Sequence, residues 1–212
     1  RALGISAPFS SVELTRFADE LIRRNACPEA VLRLTLTRGS GARGYSPRGA
    51  GPATLVMTLH AALVAEQAVP PRWRVITASG RVAAGDPLAA FKHTSRLANV
   101  LARAEAEASA ADEALLLNTA NEIVEAAAGN VFCVERGAVI TPPVASGALP
   151  GITRSIILGL CARLGIAAEI RPLRVEQEHF AEGMFLTLGT RGIVEVSSLD
   201  GRLLASSPIT RR

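Results

Sequence analysis

The chain has 212 residues, 49% of them hydrophobic, and a mean hydropathy of +0.28, which is ample for a buried core and excludes a disordered chain. Its apolar runs are broken by arginines well before membrane-spanning length, and no secretory or transit pattern opens it. A net charge of +4 carried by scattered arginines, with 4% aromatic residues, argues against nucleic acid and for an anionic small-molecule partner. The three cysteines (Cys27, Cys133, Cys161) are widely spaced and lack metal-ligand spacing. They are expected to be reduced, buried thiols of a cytoplasmic protein without a metal site.

Arg1-Ala2-Leu3-Gly4-Ile5 reads as the tail of a preceding helix, so a segment is expected before it. Ser10 and Glu13 have the spacing of a capping box, and Leu14, Phe17, Ala18, Leu21 and Ile22 follow at helical spacing. Leu32, Leu34 and Leu36 alternate with polar residues, predicting a half-buried strand. A glycine-rich polar loop, 38–47, separates it from a second strand over 53–60, suggesting an antiparallel pair. Pro70-Pro71 marks a linker, with a small N-terminal domain over 1–68, the linker at 69–72 and a larger domain over 73–212.

In the larger domain, strands are expected at 73–79, 113–118, 123–126, 131–134, 138–141, 184–188 and 193–197. A helix after Lys92 would carry Leu97, Val100, Leu101, Ala104 and Ala108 on one face, with Thr94 or Ser95 as its cap. A second runs from Ile152 to about Leu164 and closes at Gly165. Short strands mixed with separated helices read as α+β.

Lys92 is the only lysine among 23 basic residues, the rest being arginine. A guanidinium stays protonated, whereas a lysine amine can lose its proton and form a Schiff base. An ordinary surface lysine is the plain alternative. Gly151-Ile152-Thr153 at a helix start offers free N–H groups, a hydroxyl and the positive end of the helix dipole, either for a phosphate or simply as a helix start. Leu188-Gly189, where a strand runs into a glycine turn, is a weaker anion cradle. Glu125 lies among small residues. It is either an exposed edge-strand carboxylate or a buried one needing a cationic partner, such as a protonated pyridine nitrogen or an arginine. Arg43 in the glycine-rich loop could clamp a carboxylate or stay solvated. His60, His93 and His179 show no ligand spacing and read as incidental. No nucleophile elbow, P-loop or dinucleotide fingerprint occurs. A lysine, a candidate acid for a ring nitrogen and two candidate phosphate cradles are the parts a pyridoxal phosphate enzyme uses.

In this order the residues resemble the class IV (fold type IV) pyridoxal phosphate enzymes, which include branched-chain and D-amino acid aminotransferases and 4-amino-4-deoxychorismate lyases. The resemblance implies a small N-terminal α/β domain plus a larger pseudo-barrel domain. It implies Lys92 as the Schiff-base lysine, Glu125 at the pyridine nitrogen, Ile152 and Thr153 at the phosphate, and Leu188 and Gly189 at a second phosphate turn that lacks the hydroxyl of the aminotransferases. The stretches Thr37 to Ser46 and Lys92-His93-x-x-Arg96-Leu97 look most like the lyase. They imply that Arg43 and Arg96 meet substrate carboxylates and that the product is 4-aminobenzoate for folate synthesis. Transamination of branched-chain or D-amino acids with 2-oxoglutarate remains the alternative, and a truncated or inactive member the third reading. The resemblance further implies a homodimer and leads to the expectation that the family's N-terminal segment, with its first strands and a phosphate-binding arginine, is missing from this sequence.

Overall fold

The computed structural model describes residues 3–62, 69–176 and 182–211. The chain divides into two compact units, Arg1–Val64 and Ala65–Arg212. The first holds helix α1 (Ser11–Asn25) and strands β1 (Ala30–Thr37) and β2 (Thr54–Ala61). Ser10 Oγ accepts from the Glu13 N–H at 3.2 Å while Glu13 Oε2 accepts from the Ser10 N–H at 2.8 Å, closing the expected capping box. Phe9, just before the cap, meets Phe17 edge to face at 5.9 Å. β1 and β2 pair antiparallel from Ala30↔Ala61 to Thr37↔Thr54.

No described residue of this unit is fully buried, because one helix on two strands encloses too little volume. Two expectations fail here for that reason. Leu34, expected on a half-buried face, is exposed, and Cys27, expected to be buried, is half-buried.

The second unit is built on β3 (Arg72–Val82), α2 (Leu97–Ala108), β4 (Glu113–Asn118), β5 (Ile123–Ala126), β6 (Asn130–Glu135), β7 (Ala138–Thr141), α3 (Ile152–Leu164), β8 (Ala168–Ile170), β9 (Met184–Leu188), β10 (Gly192–Leu199) and β11 (Arg202–Leu203). Its nine strands form one mixed sheet in the order β5-β4-β3-β10-β9-β6-β7-β8, with β11 on β10. Two-residue turns at Arg136-Gly137 and Asp200-Gly201, all four residues at positive φ, close its tight hairpins. The fold is α+β, as expected. Residues 63–68, where the small domain was expected to end, lie outside the described residues, and β3 already begins at Arg72 of the expected linker.

Most central strands are buried on both faces, which is why they read as continuous apolar runs. In β6, Val131 and Cys133 face a cluster with Leu115, Leu117, Met184 and Leu186. Phe132 and Val134 face the other way, onto Phe185 and the α3 residues Ile157 and Cys161. The rings of Phe132 and Phe185 stack at 4.9 Å. A third cluster joins Ala102 and Ala106 of α2 to Ala78, Ala114, Leu116 and Val124.

That third cluster corrects the expected face of α2. Ala102 and Ala106 are buried, whereas Leu97, Val100 and Leu101 are 56–68% exposed. Alanine lets the helix axis approach the sheet closely, so the small residues turn inward and the leucines outward. The expected caps are also corrected. The N-cap residue is Arg96, without a side-chain hydrogen bond to the helix, and neither Thr94 nor Ser95 holds that place. The short strands β8 and β11, exposed throughout, carry no apolar alternation and were not foreseen.

Candidate active site

Glu125 owes its direction to a β-bulge. On β4, Leu117 pairs with Ile123 and Leu116 pairs with Glu125, so Val124 is the extra residue. Cross-strand partners point to the same face of a sheet, and the inserted residue resets the alternation. Leu116 and Val124 both belong to the cluster under α2, so Glu125 emerges on the α2 side.

There Glu125 is 7% exposed. Its Oε2 accepts the Leu149 N–H at 2.9 Å, and Oε1 lies 3.5 Å from Arg96 Nη1. Burial raises its pKa above the ordinary carboxylate value, opposed by the Leu149 N–H, the Arg96 charge, an Asn99 hydrogen bond and the Lys92 charge, in that order. Of the two sequence readings, the exposed carboxylate is therefore ruled out. A buried, partly compensated carboxyl of this kind favours a further cationic partner.

Leu149 ties this carboxylate to the start of α3. Its N–H goes to Glu125, and its carbonyl accepts from Asn130 Nδ2 at 2.9 Å and from the Gly151 N–H at 2.8 Å. Gly151 is the N-cap of α3, and a Cβ there would lie 2.1 Å from Asn130 Oδ1. A side chain at 151 would push the Asn130 amide aside. No side chain caps α3, and among the described residues no protein group accepts from the Ile152 or Thr153 N–H or bonds the Thr153 hydroxyl. The helix start is thus an open donor set at the positive end of the dipole. Ile152 itself is 81% exposed.

Lys92 is exposed on the segment between β3 and α2, close enough to Glu125 for its charge to be felt there. Beside it, His93 Nδ1 is buried with no hydrogen-bond partner among the described residues, and Arg96 Nη2 donates to the Phe91 carbonyl at 2.9 Å. Leu188 ends β9 buried and Gly189 is exposed in the turn beyond. Just before them, Thr187 Oγ1 is buried with no hydrogen-bond partner among the described residues. The structure thus sets Arg96 against the Glu125 carboxylate with Lys92 in electrostatic reach, and connects that carboxylate to the start of α3 through Leu149. Arg43 belongs to the first unit, exposed on the loop after β1. His60 Nε2 lies 3.1 Å from Thr58 Oγ1, and His179 falls outside the described residues.

Sequence reasoning missed Leu149, Asn130, Asn99 and Thr187. Leu149 acts through its backbone, which leaves no mark in sequence. Asn130 did leave one, since asparagine is depleted in strands and here opens β6 directly after Gly129. No group of acidic, histidine or cysteine side chains suited to a metal ion occurs among the described residues.

Residues 1–199 match the amino-transferase class IV family. A Methanocaldococcus jannaschii protein provisionally named a branched-chain-amino-acid aminotransferase is 32% identical over 99% of this chain and 72% of its own length. Among solved structures, a Legionella pneumophila protein provisionally named a 4-amino-4-deoxychorismate lyase superposes with a TM-score of 0.90 at 28% identity, over 99% of this chain and 76% of that one. The T.th. branched-chain amino acid aminotransferase with pyridoxamine 5′-phosphate gives a TM-score of 0.87 at 27% identity, over 99% and 70% of the two chains. The chain belongs to the class IV aminotransferase family and has its fold.

Proposed function

We propose that the protein is a pyridoxal phosphate-dependent 4-amino-4-deoxychorismate lyase, releasing 4-aminobenzoate and pyruvate. The residues present fit the family's cofactor, pyridoxal 5′-phosphate. An uncapped helix start with free N–H groups and a free threonine hydroxyl suits a phosphate dianion. A buried carboxyl with a raised pKa suits a protonated ring nitrogen, and an exposed amine in electrostatic reach suits a carbonyl carbon. When bound, the cofactor supplies an electron sink next to the carbon that loses a proton.

The chain's own residues carry the rest. Ile152 and Thr153 would hold the phosphate, with the Leu188-Gly189 turn beside Thr187 as a second contact. Glu125 would keep the ring nitrogen protonated. Lys92 would anchor the cofactor and, once displaced by the substrate amine, take the proton from the carbon bearing nitrogen. Loss of that proton and of the pyruvate portion leaves an aromatic ring. Arg43 keeps, by resemblance, its assignment to a substrate carboxylate, and a homodimer is the proposed assembly.

The observation that carries the lyase reading over its sister activity is the lysine segment Lys92-His93-x-x-Arg96-Leu97, which resembles that of the lyases. The L. pneumophila structure supports it further. Transamination is the second reading, favoured by the names of the M. jannaschii and T.th. proteins. Incubation with aminodeoxychorismate and no oxo acid separates the two. The lyase yields 4-aminobenzoate and pyruvate in equal amounts. Turnover that requires 2-oxoglutarate and an amino acid, with no 4-aminobenzoate formed, would refute the lyase reading.

A further inference from the structure

Arg96 is engaged inside the protein at both ends of its guanidinium fork. Nη2 donates to the Phe91 carbonyl at 2.9 Å, and Nη1 stands 3.5 Å from Glu125 Oε1. Its side chain is 25% exposed and that of Glu125 9%, so the pair is partly shielded from solvent. The Phe91 carbonyl belongs to the peptide that joins Phe91 to Lys92. One planar group thereby bridges the backbone at the lysine to the carboxylate assigned to the ring nitrogen. Arg96 is also the N-cap residue of α2, where its backbone carbonyl accepts from the Val100 N–H at 3.0 Å. Its main chain is therefore fixed by the helix while its side chain spans the gap. A substrate carboxylate would need the same fork for a bidentate clamp.

We infer that Arg96 is a positioning residue, a strut that holds the Lys92 segment and the Glu125 carboxylate in register, and not the substrate clamp. This rests on the reading of Glu125 as the partner of the ring nitrogen. The two planar hydrogen-bonding edges explain why arginine stands here. A lysine would offer a compact charge without a fixed planar fork, so it could not span the Phe91 carbonyl and the Glu125 carboxylate with two separate nitrogens.

The test is a double-mutant cycle on the cofactor-loaded protein using Arg96→Leu, Glu125→Gln and the pair, with Arg96→Lys as the conservative variant. Two readouts are taken: the pH at which the absorption of the substrate-free bound cofactor changes, and kcat and KM for the substrate that turns over. The strut predicts that Arg96→Leu displaces the spectral transition by about one pH unit, as loss of a neighbouring charge does. It also predicts a kcat lower by about tenfold with KM changed by less than about threefold, the pattern of a lost transition-state contribution. Arg96→Lys recovers part of both, and adding Arg96→Leu to Glu125→Gln changes little further.

A KM raised tenfold with kcat and the spectral transition unchanged would identify a substrate clamp and overturn the strut. So would effects of the two substitutions that simply add. If Glu125→Gln leaves the spectral transition at its wild-type position, the reading of Glu125 itself fails, and the strut with it. Should Arg96→Leu not fold, Arg96→Gln, which keeps a donor for the Phe91 carbonyl but no charge, takes its place in the cycle.

Discussion

Lys92 and Glu125 make opposite demands on their surroundings. Lys92 is exposed, so exchanging its amine for a guanidinium should alter stability by no more than about 0.5 kcal/mol. Lys92→Arg should therefore melt with the wild type yet lose the visible absorption of covalently held cofactor, which spectrophotometry of the loaded proteins checks. Glu125 is buried, and burial raises its pKa, so the native state holds this proton more tightly than the unfolded chain does. The stability tied to that proton is fully present below the unfolded value and is lost as pH rises through the higher folded value. Glu125→Gln has no proton to lose there. In the cofactor-free protein its melting temperature relative to wild type should rise across that window and level off above it. Paired thermal melts from acid to neutral pH measure this, and a difference that stays flat would place Glu125 outside the buried setting described.

At the level of elements, the β5–β6 turn is fixed by a close backbone approach. A Cβ on Gly129 would lie 2.5 Å from the Thr187 carbonyl oxygen, a backbone atom of the neighbouring strand that cannot swing aside. Gly129→Ala should cost about 1–3 kcal/mol, read from urea midpoints, and weaken cofactor binding because Asn130 and the Thr187 turn move with it. Ser10→Ala breaks the capping box of α1 and should cost about 1 kcal/mol. That loss belongs to the first unit, so the urea midpoint of the second unit should stay where it is.

The capping box of α1 and the end of α3 were legible in the sequence because their signals are local. Ser10 with Glu13 and the closing Gly165 stand where residue type alone places them. The inward face of α2 was not legible. Leucine is the more hydrophobic residue, and only the closeness of the sheet makes alanine the one that is buried.

For the whole molecule, one nine-stranded sheet sets the distances on which the chemistry depends. β5 is an edge strand of that sheet, its bulge turns Glu125 toward α2, and the peptide at Leu149 carries the connection on to α3. The residue types of the candidate site could be read in order along the chain. The bulge, the Leu149 peptide and the engagement of Arg96 could not, since each depends on strand register or on backbone atoms. The account as a whole comes down to a cofactor held on one amine. Borohydride reduction of the loaded protein followed by peptide mapping tests this most directly. The account predicts a single modified peptide with the cofactor's mass on Lys92. No label, or a label on any other residue, would contradict it.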